Sequence, residues 1–464
     1  MQKDGSQQRR TAPLRQRILR SILPEPVFPT EDAQRRRFLL KNLFLHFRPI
    51  SVPEKTLRLS LTWGLGGMAA VLVLLQFGTG VLLKFGYEPT PMAAYPSIQA
   101  IITDIPFGGL VRNLHHWGAH LLVVMAFLHL LRVFFTGAFH APRQFNWVVG
   151  LGLFCTILFA NLTGYLLPWD QLAYWAVTVS TGMLAYIPLV GGALQELVLG
   201  GAEINAATLR NFFALHTAVV PVVLAALMAF HFWRVRKAGG LVIPRSPGDL
   251  PDPQPTKIPT VPNLLVREAS MALVLVAALV LTSSVINAPL GGPANPGLSP
   301  NPVRAPWYFA GIQELLLHLH PTFAVCVIPL AVVAALALIP YWKHDTDTGG
   351  IWFASAAGRK TAVAAALIGA LLTLLMVITA EWFAGRSGIG VAMPPILLNG
   401  LIPAAVLGAA LIGVYSLLRR RQLTTNEAVQ TIVVFLVVAY GVLTMVNIWF
   451  RGEGMAFRWP WWTG

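Results

Sequence analysis

Nine apolar runs alternate with polar, basic or proline- and glycine-rich segments along the chain. Each run covers about 20 residues, which is the length that an α-helix needs to cross the hydrocarbon core of a membrane. The runs lie near 59–84, 111–135, 146–167, 212–234, 267–287, 322–342, 361–382, 395–417 and 428–450. The pattern predicts an all-α polytopic membrane protein with about nine transmembrane helices.

Composition and charge agree with this class. Of the 464 residues, 55% are hydrophobic and 11% are charged, which excludes a soluble fold. A net charge of +15 would suggest nucleic acid as the partner of a soluble protein, but here the cations cluster in alternate loops. These cations are Arg132, Arg143, Arg234, Arg236, Lys237, Arg245, Lys257, Lys343, Arg359, Lys360, Arg419, Arg420 and Arg421. We therefore expect lipid rather than nucleic acid as the surrounding partner. We also expect a bacterial inner membrane location, with the N-terminus cytoplasmic and the C-terminus on the outer side.

Segment composition divides the chain into five parts. Residues 1–56 form a basic cytoplasmic extension, in which 35–47 alternate like an amphipathic helix on an anionic surface; a disordered tail is the alternative for 1–30. Residues 57–238 hold four helices, and 239–265 form a proline-rich linker. Residues 266–385 hold three helices and a long outer loop, and 386–464 hold two further helices and an aromatic C-terminus.

The second and fourth helices each carry a widely spaced pair of histidines. His115 and His129 are about 21 Å apart and about 40° from alignment on an ideal helix, and His216 and His231 are about 60° from alignment. Both helices run from outside to inside, so His115 is level with His216, and His129 with His231. Ionisable side chains are costly inside a bilayer, so four at matched depths indicate cofactor ligands, and two stacked haems fit this arrangement. For any single histidine, a core residue bonded to a backbone carbonyl is the alternative.

Two further histidines on the second helix face elsewhere. His116 and His120 are turned about 140° and 180° from His129, so we interpret them as bystanders to the haem sites. Their i,i+4 spacing could hold a metal ion, but the sequence offers no third ligand nearby.

Glycines in the first and third helices repeat the histidine interval. Gly66 and Gly80 are fourteen residues apart, as are Gly150 and Gly164. Glycine lets a helix backbone approach a flat macrocycle, so these positions would complete the walls of a four-helix haem bundle. Close helix packing without a cofactor is the alternative.

Haem propionates need cationic partners near the membrane faces. Arg112 and Arg210 on the outer side, and Arg132 and Arg143 on the inner side, are the candidates. Each could instead be an interfacial anchor.

Several strings resemble cytochrome b of the quinol–cytochrome c oxidoreductases, over roughly residues 57–382. The resemblance is to the form that oxygenic photosynthesis divides into two chains, here fused and extended by two helices. The strings are Leu65-Gly66-Gly67, Arg112-Asn113-Leu114-His115, Leu128-His129-Leu130-Leu131-Arg132-Val133, Thr136-Gly137, Pro142-Arg143, Thr163-Gly164-Tyr165-Leu166-Leu167-Pro168-Trp169-Asp170-Gln171, Leu215-His216-Thr217 and His231-Phe232. The fifteen-residue interval from His216 to His231 is similar to that of the photosynthetic branch.

The resemblance implies an outer quinol site in the 288–321 loop, where the family has Pro-Glu-Trp-Tyr. Here the string is Ala305-Pro306-Trp307-Tyr308, so Trp307 and Tyr308 are the expected site residues and the family's acid is missing. Glu314 is the nearest acid, and we take it as the candidate proton carrier, with a purely structural role as the alternative.

The resemblance also implies an activity and its partners. The expected enzyme oxidises quinol at the outer face and carries electrons through two non-covalent b-type haems. It contributes to proton translocation and works with a Rieske iron–sulfur protein and a c-type cytochrome in a homodimeric complex. Gly64 stands where the photosynthetic form attaches an extra haem through cysteine, so no covalent haem is expected. The alternatives are a di-haem membrane anchor that passes electrons linearly between quinone and a dehydrogenase or reductase, and a transporter.

Overall fold

The computed structural model describes residues 31–34, 49–245, 255–344, 350–384 and 393–459. Within these residues nine helices are long and apolar enough to cross a membrane, which confirms the predicted all-α polytopic fold. They are α1 (Leu65–Gly86), α2 (Gly108–Phe135), α3 (Gln144–Tyr165), α4 (Ala206–Lys237), α5 (Thr260–Val285), α6 (Phe323–Tyr341), α7 (Ala356–Ala384), α8 (Leu397–Arg420) and α9 (Thr425–Trp449). The predicted amphipathic stretch at 35–47, the tail at 1–30, the centre of the linker and residues 460–464 lie outside the described residues.

The connections differ in length at the two ends of the bundle. At one end, here called the long-loop end, lie the segments 87–107, 166–205 and 286–322 and the residues that follow α9. They contain the short helices Ala94–Thr103, Gln171–Gly182, Gly191–Leu199 and Ala310–His318 and the 3₁₀ turns Met183–Tyr186, Trp307–Phe309 and Glu453–Met455. At the short-loop end, the 3₁₀ turn Glu54–Leu57 and the helix Leu59–Thr62 precede α1. Strand β1 (Ser51–Pro53) pairs there antiparallel with β2 (Lys257–Pro259), which fastens the start of α1 to the start of α5.

The first five spanning helices share one apolar core. Its buried members are Leu72, Val73, Leu122, Val123, Ile157, Leu224, Leu275, Leu279 and Tyr308. The outward faces are also apolar; Leu273 of α5, for example, is 70% exposed. Helices that are apolar on their outer faces as well as inside fit a lipid surrounding rather than water.

Three spanning helices contain a π-helical turn followed by proline. The turns are Leu215–Val219 in α4, Phe323–Val327 in α6 and Leu397–Leu401 in α8. Pro221, Pro329 and Pro403 each lie two residues beyond the turn. Proline lacks the N–H that would continue the α-helical ladder, and a wider turn accommodates the interruption. A π turn takes in about one residue more than an α turn, so it changes the register of everything beyond it.

Helix α9 packs against α7 and against the short helix Ala310–His318. At the short-loop end, Gln430 Nε2 donates a hydrogen bond to the carbonyl of Phe135 at 2.9 Å. Towards the long-loop end, the Tyr440 hydroxyl donates to the carbonyl of Tyr308 at 3.0 Å. Helix α9 is therefore bound to the rest of the molecule towards both ends of the bundle.

Candidate functional site

The four histidines singled out in the sequence meet as two pairs inside the bundle. The ring centres of His115 and His216 are 6.1 Å apart and the planes are 83° apart. Those of His129 and His231 are 6.5 Å apart, with an interplanar angle of 80°. A metal ion bound at about 2 Å to one nitrogen of each of two facing imidazoles separates the ring centres by roughly 6 Å. Both pairs therefore have the spacing of two axial ligands on one metal.

A π turn changes the helical register between His216 and His231. An ideal α-helix leaves residues fifteen apart about 60° out of alignment, as the sequence analysis expected. His216 lies inside the π turn Leu215–Val219, which absorbs the extra residue. Fifteen residues in α4 therefore make about as many helical turns as fourteen residues in α2.

Each of the four predicted glycines faces one of these histidines. A Cβ atom built on Gly164 would lie 2.5 Å from Cε1 of His216, and one on Gly80 would lie 3.3 Å from Cε1 of His115. At the other level, the corresponding distances are 3.0 Å from Gly66 to His129 and 3.6 Å from Gly150 to His231. The missing side chain therefore matters most at Gly164, and the contact at Gly150 lies within the ordinary range.

Hydrogen bonds orient the first pair of imidazoles. Nδ1 of His216 donates to the carbonyl of Ala160 at 3.0 Å. Nδ1 of His115 lies 2.9 Å from the Thr79 hydroxyl, which itself donates to the carbonyl of Leu75 and so accepts from the imidazole. With Nδ1 occupied in this way, Nε2 of each ring is left unprotonated and able to bind a metal, which is the usual arrangement around ligating histidines.

The four candidate arginines have different surroundings in the structure. Arg112 donates to the carbonyls of Ala288 and Pro289, and Arg143 donates to those of Ala238 and Gly240, so both fasten loops. Arg210 is exposed.

Arg132, one turn beyond His129 on α2, is 4% exposed. Its Nε donates to the carbonyl of Leu61, and its Nη2 is buried with no hydrogen-bond partner among the described residues. Leaving a buried guanidinium nitrogen without a partner is costly, so an acceptor bound next to the second histidine pair would be stabilising.

The string Trp307-Tyr308 forms a 3₁₀ turn over the bundle core. Trp307 Nε1 donates to Nδ1 of His120 at 2.8 Å. Tyr308 is buried, and burial together with the nearby Tyr165 raises the pKa of its hydroxyl above the ordinary range. His120 is thus a neighbour of the predicted quinol site, which helix geometry alone did not indicate. The described residues contain no group of three potential metal ligands around His116 and His120.

Glu314 lies apart from this string, in an ion pair at the end of α9. Its side chain is fully buried and accepts hydrogen bonds from Arg451 Nε at 3.0 Å and from Asn447 Nδ2 at 3.3 Å. His318 Nε2 lies 3.1 Å away, and Arg451 also binds Glu381 at 2.7 Å. Burial would raise the pKa of Glu314, but the hydrogen bonds from His318, Arg451 and Asn447 outweigh it and lower that pKa. This geometry favours the structural role of Glu314 over the predicted role as proton carrier.

A membrane bundle with two histidine pairs at the spacing of axial ligands, each lined by a glycine on both sides, defines a membrane protein that binds haem. Residues 51–239 match the family model described as Cytochrome b/b6/petB. Over 211 residues the chain is 40% identical to cytochrome b6 of Synechococcus sp. strain CC9311. The matched region is 46% of this chain and 95% of that protein. Cytochrome b6 of Prochlorococcus marinus strain NATL1A is 43% identical over 175 residues, 38% of this chain and 80% of that protein. The chain belongs to the cytochrome b/b6 family, whose members are electron-transport proteins with b-type haem.

A solved structure extends the likeness of the fold beyond the region shared with these relatives. A chain of the "Hyperthermophilic respiratory Complex III" covers 95% of this chain and 99% of its own length, with a TM-score of 0.60 and 22% sequence identity. The shared fold therefore includes helices in the part of the chain that follows residue 239.

Proposed function

We propose that this chain is the cytochrome b subunit of a quinol–cytochrome c oxidoreductase. In this role it oxidises quinol at the long-loop end and conducts the electrons across the membrane to the short-loop end. The proposal rests on the two histidine pairs, which lie at two depths of one bundle. Their ring centres are 6.1 Å apart in the first pair and 6.5 Å apart in the second.

Two non-covalent b-type haems fit these sites. His115 and His216 would hold one, next to Gly80 and Gly164, and His129 and His231 the other, next to Gly66 and Gly150. Arg132 would bind a propionate of the second haem through its unpartnered Nη2. When bound, two haems at these levels supply one-electron carriers across the apolar core. The chain's own contribution is to fix the rings, through Thr79 and the Ala160 carbonyl, and to exclude water from the core.

A quinol site at Trp307-Tyr308 is supported by how firmly the surrounding loop is held. Asp170 accepts from the backbone N–H of Gly291 at 2.9 Å, and Asn113 accepts from that of Ala288 at 2.8 Å. Arg112 binds the next carbonyls of the same loop. Residues from the strings on which the family resemblance rests therefore hold the loop that leads to Trp307 and Tyr308 through hydrogen bonds. A site on a rigid support keeps its geometry better than a site on a free loop.

The remaining parts of the proposal concern the assembly. A Rieske protein and a c-type cytochrome would accept electrons at the long-loop end, and the complex would be a homodimer. The basic residues at the short-loop end favour a cytoplasmic position for that end, and hence for the N-terminus. Proton translocation follows from quinol oxidation on the outer side and quinone reduction on the inner side.

Gly64 supports the proposal that this chain carries no covalent haem. A Cβ on Gly64 would lie 2.3 Å from the Met271 methyl group, and Gly64 has a positive φ of 63°. L side chains rarely adopt this backbone conformation, so a cysteine at this position would be strained.

The test is a redox-titrated optical spectrum of the purified complex, with quinol added in the presence and absence of an oxidant pulse. Two b-type transitions with different midpoints, together with b-haem reduction induced by the oxidant, are the expected result. Two haems without the oxidant response would favour the alternative of a linear di-haem membrane anchor. A complex without haem would overturn the proposal altogether.

A further inference from the structure

The string Trp307-Tyr308 has a polar neighbour to which the proposed function gives no role. His120 lies on α2, one and a half turns from His115 towards the middle of the membrane. Its ring centre is 6.3 Å from that of Trp307 and 6.3 Å from that of Tyr308. The imidazole therefore borders the same aromatic surface as the expected quinol site.

Trp307 determines which nitrogen of His120 carries the proton. The indole Nε1–H can only donate, so Nδ1 of His120 is the acceptor in the 2.8 Å hydrogen bond between them. A neutral imidazole that accepts at Nδ1 carries its hydrogen on Nε2. The tryptophan thus holds His120 as a donor that points away from the indole.

This donor has no protein partner in the part of the chain that the structure describes. Trp307 provides the one hydrogen bond found for His120, and the side chain is only half-buried, so a ligand can reach it. A polar N–H at membrane depth has little water to bind and needs an acceptor from elsewhere. The missing acceptor points to a ligand oxygen.

Other polar groups around the string are already occupied. The N–H of Ala305 donates to Gln313, and the carbonyl of Tyr308 accepts from Tyr440. Glu314 is bound to Arg451. The Ala305 N–H and the Glu314 carboxylate are thus engaged within the protein, and the Tyr308 carbonyl can only accept, so none of the three donates a hydrogen bond to a ligand oxygen.

From these contacts we infer that His120 donates its Nε2–H to a ring oxygen of the quinone or quinol head group, bound against Trp307 and Tyr308. The inference rests on the proposed function. An aromatic surface with a few polar groups is the usual composition of a site for a flat, mostly apolar ligand. His120 lies about 7.5 Å along the helix axis from His115, so the head group would stay close to the first histidine pair.

The experiment compares the wild-type complex with two variants, His120→Phe and His120→Gln, using decylubiquinol as the reductant and cytochrome c as the acceptor. Phenylalanine keeps the ring and removes the donor, and we expect it to raise KM about 3- to 10-fold, the effect of one lost hydrogen bond, with a smaller change in kcat. Glutamine can accept from Trp307 and donate to the ligand, so its KM should lie near that of the wild type. Haem content and both haem midpoints should be unchanged in the two variants.

A second readout examines the hydrogen bond itself. Infrared difference spectra of the oxidised complex, with and without oxidised decylubiquinone, should show a quinone carbonyl stretch below the frequency of the free quinone. The shift should be lost in His120→Phe and retained in His120→Gln. In wild-type complex labelled with ¹⁵N-histidine, the same spectra should contain an imidazole band that shifts with the label. The chain has eleven histidines, so the band is assigned to His120 by its absence from His120→Gln, which still decides the question if His120→Phe loses haem.

The possible failures are distinguishable. A wild-type complex that oxidises neither decylubiquinol nor menadiol would overturn the proposed function. Turnover by the wild type, with the KM and carbonyl frequency of His120→Phe unchanged, would overturn the role of His120 and leave the proposed function standing. Absence of a histidine band from the wild-type difference spectrum would overturn it as well.

Discussion

The glycines that face the histidines provide a graded test of the haem sites. A methyl group on Gly164 would lie 2.5 Å from the His216 ring, about 1 Å closer than ordinary contact, which begins near 3.4 Å. At Gly150 the same methyl group would lie 3.6 Å from His231, within the ordinary range. Metal–imidazole bonds tolerate displacements of only about 0.2 Å. We therefore expect Gly164→Ala to lose the haem held by His115 and His216, and Gly150→Ala to keep both haems.

The assay is the ratio of haem to protein in purified complex, followed by a redox titration of the bands that remain. Gly164→Ala should fall from two haems towards one, and its spectrum should match that of His216→Ala, in which a ligand is removed directly. If these glycines served only close helix packing, Gly164→Ala would lower the thermal stability and still retain two haems. Two haems with unchanged midpoints in Gly164→Ala would refute the reasoning.

Three further expectations follow from hydrogen bonds and charges. Thr79→Val removes the acceptor for His115 Nδ1, makes the ligand less basic and should raise the midpoint of the haem proposed there by up to about 60 mV. Thr163→Val is the matched control, because the Thr163 hydroxyl lies 3.2 Å from His216 Nδ1 but the Ala160 carbonyl still accepts from that nitrogen without it. Equal shifts in both variants would contradict the argument. Arg451→Met leaves Glu314 buried without its arginine partner and should lower the free energy of unfolding by about 3–5 kcal/mol, measured by thermal unfolding of the complex. Adding Glu314→Gln should recover part of this loss. Wild-type stability in the single variant would contradict a stabilising role of the ion pair. The pKa of Glu314 is lowered from 4.5, so its ion pair stabilises the fold above that pH and less below it. The difference in melting temperature between wild type and Glu314→Gln should therefore shrink as the pH falls below 4.5, and a constant difference would refute the assignment.

The spanning helices and the levels of the histidines could be predicted because both depend on local regularities. Twenty apolar residues in succession predict a span wherever they occur, and the direction of successive spans fixes which histidines share a depth. The fourteen-residue interval of the glycines was likewise visible without knowledge of their neighbours, and the structure places each glycine beside one imidazole. Their role in haem binding stays a prediction.

What could not be predicted depends on departures from regular helices and on contacts between distant residues. The π turn at Leu215–Val219 was not predicted, because such a turn has no reliable local signature beyond the proline that follows it. The helical angle of His120 identified it as a bystander to the haem sites, but its contact with Trp307 could not be predicted because the two residues lie 187 apart in sequence. The ion pair of Glu314 with Arg451 joins residues 137 apart, and no periodicity links them.

The position of α9 has a consequence for biosynthesis. All eight histidine and glycine positions of the proposed haem bundle precede residue 232, whereas the contacts that hold Tyr308 and Glu314 come from Tyr440, Asn447 and Arg451. Because a chain is synthesised from its N-terminus, the bundle is complete long before these residues leave the ribosome. A nascent chain therefore possesses the residues of the proposed haem sites before the support of the proposed quinol site, and α9 with the residues that follow it completes that support.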